Sequence, residues 1–192
     1  MTNVRHIIRA AIGTIFLFSY VYAFGNEILR LEVDGSSSGT VDIQLFTKIA
    51  PIHSKRIKKL VTESKYDGVV FHRVIAGFMA QSGDVKFGNI DNLQIDLVGM
   101  GGSQYPNLTA EFSNQPFEKG TVGMARSRDP NSANSQFFIM FADAPHLNGK
   151  YTVIGKVISG METVMEIKKG DIKQNGAVSQ PDYIKNASII EK

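Results

Sequence analysis

The sequence predicts a mainly β fold, a closed antiparallel barrel of seven or eight short strands capped by two α-helices. Most candidate strands alternate apolar and polar residues and are separated by Gly, Asn, Asp or Pro. Only two segments have helical spacing, and they do not alternate with strands, which argues against a parallel doubly wound sheet. Closure of the sheet is expected because so many short strands would otherwise leave exposed edges.

The first elements are a hairpin and a helix. Residues 28–33 and 40–45 alternate on either side of a turn signal at residues 34–36, which predicts the hairpin. Pro51 then opens the helix, and residues 66–68 end it. The apolar positions at helical spacing in this helix are Ile52, Ile57, Leu60 and Val61.

The remaining elements are shorter and are separated by turn residues. A second helix is predicted near residues 161–168, between two glycines. The further strand candidates are residues 69–75, 95–98, 121–125, 136–141, 152–157 and 183–190. We find no internal repeat and no low-complexity tract, so one repeat-free domain is expected.

Length and composition limit the classes of protein and of site. A chain of 192 residues is long enough for one domain with a substantial core, and 43% hydrophobic with 20% charged residues is typical of a globular protein. The absence of cysteine excludes disulfides, zinc-thiolate sites and thiol nucleophiles. The net charge is only +3, and the basic run at 55–59 is typical of a solvated helix face. We therefore expect no nucleic-acid partner, no metal site and no cofactor.

The first residues have the pattern of a secretory signal. Arg5, His6 and Arg9 precede an apolar run over residues 10–23, and residues 21–23 form a small-x-small cleavage site. The run is shorter than the roughly 20 apolar residues that span a bilayer. We predict a signal peptide over residues 1–23 and a folded domain over residues 24–192, with Gly25 as a second cleavage point. The alternative is retention as a membrane anchor.

An arginine in an apolar strand candidate is the first functional signal. The two-residue period of a strand places Phe71, Arg73 and Ile75 on one face and His72 and Val74 on the other. A guanidinium does not lose its charge in a protein, and burying it unpaired is costly. Arg73 therefore needs a partner or a task, whereas His72 is interpreted as a buried structural residue.

The strand candidate near residue 136 has one wholly apolar face and one mixed face. Phe137 and Ile139 suit the barrel interior, while Gln136, Phe138 and Met140 share the opposite face. If this mixed face adjoins the Arg73 face, the outside of the barrel carries a groove with an apolar floor and few polar groups. That composition is typical of a peptide-binding pocket.

Four segments together resemble the cyclophilin-type peptidyl-prolyl cis-trans isomerases in order and spacing. They are FHRVIAGFMAQSGD at 71–84, GMGGS at 99–103, MARSRDPNSANSQFFI at 124–139 and HLNGKYTVIGKV at 146–157. The resemblance extends over residues 27–190 and implies an eight-stranded antiparallel barrel with two capping helices. Ala-Arg-Ser at 125–127 and YPNLTAEFS at 105–113 resemble the bacterial branch, which makes the periplasm the expected destination.

The resemblance also implies roles for individual residues. Arg73 matches the catalytic arginine, and Gln81 and Gln136 match the amides that orient the substrate and the arginine. The remaining substrate-binding positions are the proline-ring pocket of Phe78, Met79 and Phe138, the wall residue Leu147, and the backbone-binding pair Ala125 and Arg126.

Three features depart from the common family pattern. His146 stands where many members have Trp, so tight cyclosporin binding is not expected, and Tyr151 stands where many have His. We place both at the edge of the substrate pocket. The segment at 85–95 exceeds the common spacing and forms either a binding loop or a surface insertion.

The resulting hypothesis is a monomeric, exported isomerase without cofactor or metal. It acts on proline-containing peptides and unfolded exported proteins, with Arg73 stabilising the transition state non-covalently. It is expected in the periplasm, with secretion or a periplasm-facing membrane anchor as the alternatives, and no stable membrane insertion is expected after cleavage. Two other functions are a non-catalytic peptide-binding module and a barrel that binds an apolar ligand inside. The last is disfavoured because Val74, Phe137 and Ile139 fill the interior.

Overall fold

The computed structural model describes residues 27–191, so the predicted signal over residues 1–23 lies outside the described residues. Within this part the chain forms nine strands and two α-helices. The strands are β1 (Glu27–Asp34), β2 (Gly39–Leu45), β3 (Val69–Val70), β4 (Arg73–Ile75), β5 (Met79–Ser82), β6 (Thr121–Met124), β7 (Phe137–Met140), β8 (Val153–Ser159) and β9 (Tyr183–Glu191). The helices are α1 (Pro51–Thr62) and α2 (Met161–Glu166).

The nine strands form one antiparallel sheet, in the order β3-β9-β1-β2-β8-β6-β7-β5-β4. The mainly β class with two helices is confirmed. The prediction of a closed eight-stranded barrel is wrong, because the sheet is an open, curled half-barrel whose two end strands, β3 and β4, do not pair with each other.

The two end strands of the open sheet are consecutive in the chain. Only Phe71 and His72 separate β3 from β4, so the backbone crosses directly from one edge of the sheet to the other. The backbone groups at these edges instead form hydrogen bonds with the backbone of loops. Val74 N–H donates to the Gly176 carbonyl at 2.8 Å, and its carbonyl accepts from Gly170 N–H at 2.9 Å. Pairing with a loop removes the exposed edge that closure was expected to remove.

Several local predictions differ from the structure. The single strand predicted at 69–75 is interrupted at Phe71, which turns into the same core as Val74 and so does not share a face with Arg73. Strand β5 was not predicted, and residues 95–98 form turns instead of a strand. Ile52, predicted on the apolar face of α1, is 49% exposed.

The two faces of the sheet carry separate apolar clusters. The main core lies inside the curl, where residues from β1, β2, β4, β6, β7 and α1 pack together, and it includes Val74, Phe137 and Ile139 as predicted. A smaller cluster lies on the other face and contains Met79, Phe138, Met140 and Leu147 among its buried members. The sheet is therefore filled on its inner side and presents a second, partly open apolar surface outside.

Helix α1 begins at Pro51, whose fixed φ suits the first helical position. Its buried side chains are His53, Ser54, Ile57, Leu60 and Val61. None of the helices within residues 27–191 has the length and apolar character needed to cross a bilayer.

Two buried histidines make the fold sensitive to acid. Burial lowers the pKa of His72 from its ordinary value to about 4, although the charge of Asp84 opposes the shift. Burial also lowers the pKa of His53, although Glu111 accepts from its ring at 2.6 Å. A folded-state pKa below the unfolded value means that the unfolded chain binds more protons between the two values. Stability is therefore lost as the pH falls.

We expect the free energy of unfolding to decrease by about 2 kcal/mol through His72 alone between pH 7.5 and pH 5, since its pKa is about 6.5 in the unfolded chain and about 4 in the fold. Urea unfolding at both pH values measures this loss. In His72→Gln the loss should shrink by that amount, while the exposed His146→Gln should retain it. Equal pH dependence in the wild type and His72→Gln would contradict the assignment.

Candidate active site

Arg73 lies on β4, at an end of the sheet, and its half-buried side chain is held from two directions. Its Nε donates to the Asn175 carbonyl at 3.0 Å, and its Nη2 donates to Asn175 Oδ1 at 3.0 Å. Its Nη1 donates to Gln81 Oε1 at 3.2 Å and lies 3.9 Å from Met79 Sδ. The planar fork is thus fixed by residues that come from distant parts of the chain.

The Arg73 guanidinium keeps both charge and donor capacity. Burial lowers the pKa of Arg73, but an arginine remains cationic in proteins. It faces no carboxylate in an ion pair within residues 27–191. Of its five N–H groups, three make the bonds to Asn175 and Gln81 and a second on Nη1 points to the weak acceptor Met79 Sδ, which leaves one N–H on Nη2. A substrate oxygen or nitrogen therefore has a donor available at this position.

A chain of two glutamines connects Arg73 to the loop at residues 99–101. Gln81 Nε2 donates to Gln136 Oε1 at 2.9 Å, so the Gln81 oxygen remains available to Arg73. Gln136 Nε2 in turn donates to the carbonyls of Gly99 and Gly101, at 3.0 and 2.8 Å. The predicted function of both amides in orienting the arginine agrees with these contacts.

Asp84 fixes the loop on which the glutamine chain ends. Its fully buried carboxylate accepts four backbone N–H groups: those of Lys86 and Phe87 on Oδ1, and those of Gly99 and Gly101 on Oδ2. Multiple bonds to an ionised acceptor are strong and directional. Asp84 therefore closes residues 85–98 into a loop and sets the carbonyls that Gln136 contacts.

A cavity of 200 Å³ opens beside Arg73, with aromatic and aliphatic side chains as well as polar groups on its lining. Nine of the eleven predicted site residues line it, namely Arg73, Phe78, Met79, Gln81, Ala125, Arg126, Phe138, Leu147 and Tyr151. Phe138 stacks on the buried Phe117 at 5.7 Å and meets Tyr151 edge to face at 5.6 Å. The cavity has a rigid aromatic floor, and its size suits a small ring.

The other two predicted residues border this cavity. Gln136 supports it through Gln81, and His146 stacks on the lining residue Phe78 at 5.9 Å between ring centroids. Arg126 lies over the Tyr151 ring at 4.4 Å and donates to the Lys150 carbonyl at 2.7 Å. Arg126 therefore braces the Tyr151 wall, in addition to lining the cavity.

Three residues that position the site were missed in the sequence. Asn175 has a positive φ of 54°, and the Asn-Gly pair it begins is a turn signal, but nothing local indicates that the turn meets Arg73. Asp84 follows a glycine and resembles any loop aspartate. Phe117 lies between a proline and a charged residue and carries no strand pattern. Each of these three residues positions the site through contacts with residues that are distant in the sequence.

Known proteins resemble this chain over most of its length. A family model described as cyclophilin-type peptidyl-prolyl cis-trans isomerase matches residues 28–189. A Brucella suis protein named "Probable peptidyl-prolyl cis-trans isomerase" is 55% identical over 196 residues, which cover 98% of this chain and 97% of that protein. A Helicobacter pylori peptidyl-prolyl cis-trans isomerase is 37% identical over 142 residues, 71% of this chain and 80% of its own.

Solved structures share the fold. A cyclophilin from Hirschia baltica has a TM-score of 0.69 at 25% identity and covers 85% of this chain and 73% of its own. A Cryptosporidium parvum cyclophilin-type isomerase, crystallised in the presence of the dipeptide Ala-Pro, has a TM-score of 0.71 at 27% identity, with 86% and 99% covered. The chain therefore belongs to the cyclophilin-type peptidyl-prolyl cis-trans isomerases and is an enzyme of that class.

Proposed function

We propose that this isomerase is exported and speeds the folding of exported proteins, with Arg73 stabilising the transition state. The observation that carries the mechanism is the cation of Arg73, fixed by Asn175 and Gln81 at the wall of a cavity with an aromatic floor, with an Nη2 N–H that has no acceptor in the part of the chain that the structure describes. Its substrates as a family member are proline-containing peptides.

The reaction needs no covalent step. Rotation about an X-Pro bond is slow because amide resonance must be broken, with a barrier of roughly 18–20 kcal/mol. At the twisted transition state the imide nitrogen regains its lone pair, and the Arg73 guanidinium can donate to it. That bond is weak in the planar ground state, so it lowers the barrier instead of only tightening binding.

The apolar side chains of the cavity supply the second requirement, which is a fixed proline ring. Phe78, Met79, Phe138 and Leu147 surround the space, so the ring is held while the preceding carbonyl rotates. A pocket alone would also suit the rival function, a module that binds proline segments without turnover. The held arginine favours the enzyme, because apolar recognition does not require a partly buried cation that costs free energy to desolvate.

Export and monomeric action are the remaining parts of the proposal. Basic residues, an apolar run and a small-x-small site over residues 1–23 support a cleaved secretory signal, and the resemblance to the bacterial branch supports the periplasm. The groove is formed by one chain, so a single copy is sufficient for the reaction. Unfolded exported proteins are the proposed natural substrates.

Arg73→Ala is expected to lower kcat/KM by ten- to a hundredfold or more, because a charge-assisted hydrogen bond is worth about 1.5–3 kcal/mol and each 1.36 kcal/mol is tenfold in rate. The measurement is cis-to-trans conversion of a short X-Pro peptide by purified residues 24–192. Arg73→Lys should recover only part of the rate because it lacks the fork. The exposed Arg128→Ala is the matched control. Unchanged turnover in a folded Arg73→Ala variant would refute the mechanism.

Asp84→Asn is expected to lower stability by about 2–3 kcal/mol, because an amide NH₂ would face backbone N–H donors that now meet a carboxylate. It should also speed hydrogen exchange at the Gly99 and Gly101 amides and reduce kcat/KM severalfold through a looser Gln136. Asp91→Asn, an exposed change on the same loop, should alter none of these. Full protection of both glycine amides in Asp84→Asn would show that the carboxylate does not organise the loop.

Export is tested by expressing all 192 residues in a bacterium with a periplasm, followed by fractionation and N-terminal sequencing. We expect soluble periplasmic protein that begins at residue 24 or 26. Leu17→Arg, which interrupts the apolar run, should block export, while Leu17→Ile should not. Uncleaved protein in the membrane fraction would indicate the anchor, and uncleaved cytosolic protein would overturn the proposal.

A further inference from the structure

A second and larger cavity, of 650 Å³, adjoins the proline cavity. The two share Arg73 and Gln81 as lining residues. Asn175, which holds one side of the Arg73 guanidinium, lines only the larger cavity, and Met79, which contacts the other side, lines only the smaller one. Arg73 therefore stands between the two spaces, and a polypeptide that leaves the proline pocket past Arg73 enters the larger one.

One wall of this cavity comes from the long loop after β5. Ile95, Val98 and Met100 line it, and the exposed fractions of Ile95 and Met100 are 52% and 76%. Single exposed apolar residues need no explanation, but two on one cavity wall, beside a reactive site, indicate a surface that receives apolar groups. Ala177 and Val178 add apolar surface from the opposite wall.

The charged residues around this cavity do not favour a charged occupant. Asp96 and Asp171 offset Lys168 and Lys169 on the lining, so the one excess charge is that of Arg73, which Asn175 and Gln81 hold at the border with the proline cavity. Both lysines also have partners of their own: Lys168 Nζ donates to Gln180 Oε1, and Lys169 Nζ contacts the Met165 carbonyl. An apolar side chain is therefore the group that this cavity accommodates best.

The apolar wall is held in place before any substrate arrives. Asp84 accepts the N–H groups of Gly99 and Gly101, which flank Met100, and Gln136 donates to the carbonyls of the same two glycines. Val98 N–H also donates to the Gln94 carbonyl at 2.8 Å. Because the backbone is fixed, little conformational freedom is lost when a ligand contacts this wall.

We propose that the cavity between residues 95–100 and 168–179 is an extended substrate site that binds an apolar side chain two or three residues from the proline. The proposal rests on the isomerase function above. The site adds binding that is equal in the ground and transition states, so it lowers KM for substrates with apolar flanks and leaves kcat unchanged. The enzyme would thereby select apolar segments, which are exposed only in unfolded proteins.

The experiment compares two peptides that share one X-Pro bond. One carries Leu two and three residues from the proline on both sides, and the other carries Ser and Gly at those positions. With residues 24–192 as the enzyme, we expect kcat/KM to be about tenfold higher for the Leu peptide, through KM. In the double variant Ile95→Ser and Met100→Ser, that advantage should disappear, while the Ser/Gly peptide is turned over as before.

Ile158→Ser is the matched control, because Ile158 is 49% exposed and lines neither cavity. A Leu preference that survives the double variant, or that Ile158→Ser abolishes equally, would overturn the extended site. Equal kcat/KM for both peptides in the wild type would also overturn it and leave the isomerase function intact. Turnover of neither peptide would instead refute the proposed function on which the site depends.

Discussion

The arrangement of this site depends on holding one cation in a half-buried position without neutralising it. A carboxylate partner would satisfy the Arg73 guanidinium at lower cost, but it would also occupy the fork and cancel its charge. The fold instead uses neutral acceptors, the Asn175 backbone and side-chain oxygens and the Gln81 amide oxygen. These acceptors fix the plane of the guanidinium and do not neutralise its charge.

Neutral acceptors work only if they are themselves oriented, and that requirement extends through the structure. The Gln81 amide presents its oxygen to Arg73 because its nitrogen donates to Gln136. Gln136 in turn donates to the loop carbonyls that Asp84 positions. On the other side, Asn175 belongs to the same loop that pairs with the β4 edge through Gly176 and Val74. The loop that covers the β4 edge of the sheet therefore also holds one side of the Arg73 guanidinium.

The parts of the fold and of the site that could be predicted from the sequence are those set by contacts between residues close in the chain. The hairpin of β1 and β2 follows from local alternation, and the opposite faces of Phe137 and Phe138 follow from the strand period. The break at Phe71 and His72 does not, because these two residues bond to the backbone of Asp182 and Val178, more than 100 residues away. Residues 95–98 were predicted as a strand because they lie between turn residues, yet they form turns in which Ile95 and Leu97 are exposed. A periodic pattern indicates which residues are expected to be buried, but it does not show which other residues bury them.

His146 and Tyr151, which differ from the common family residues, contact the wall that holds the ring and not the arginine that is proposed to act on the rotating bond. His146 stacks on Phe78, and Tyr151 packs against Phe138 beneath Arg126, so both change the wall that holds a proline ring. The acceptors of Arg73 include neither residue. In the proposed mechanism the developing lone pair meets only the guanidinium, and altered walls change how tightly the ring is held. A pocket of this kind can vary its aromatic lining without losing the chemistry, provided that the hydrogen-bonded frame around the arginine is kept.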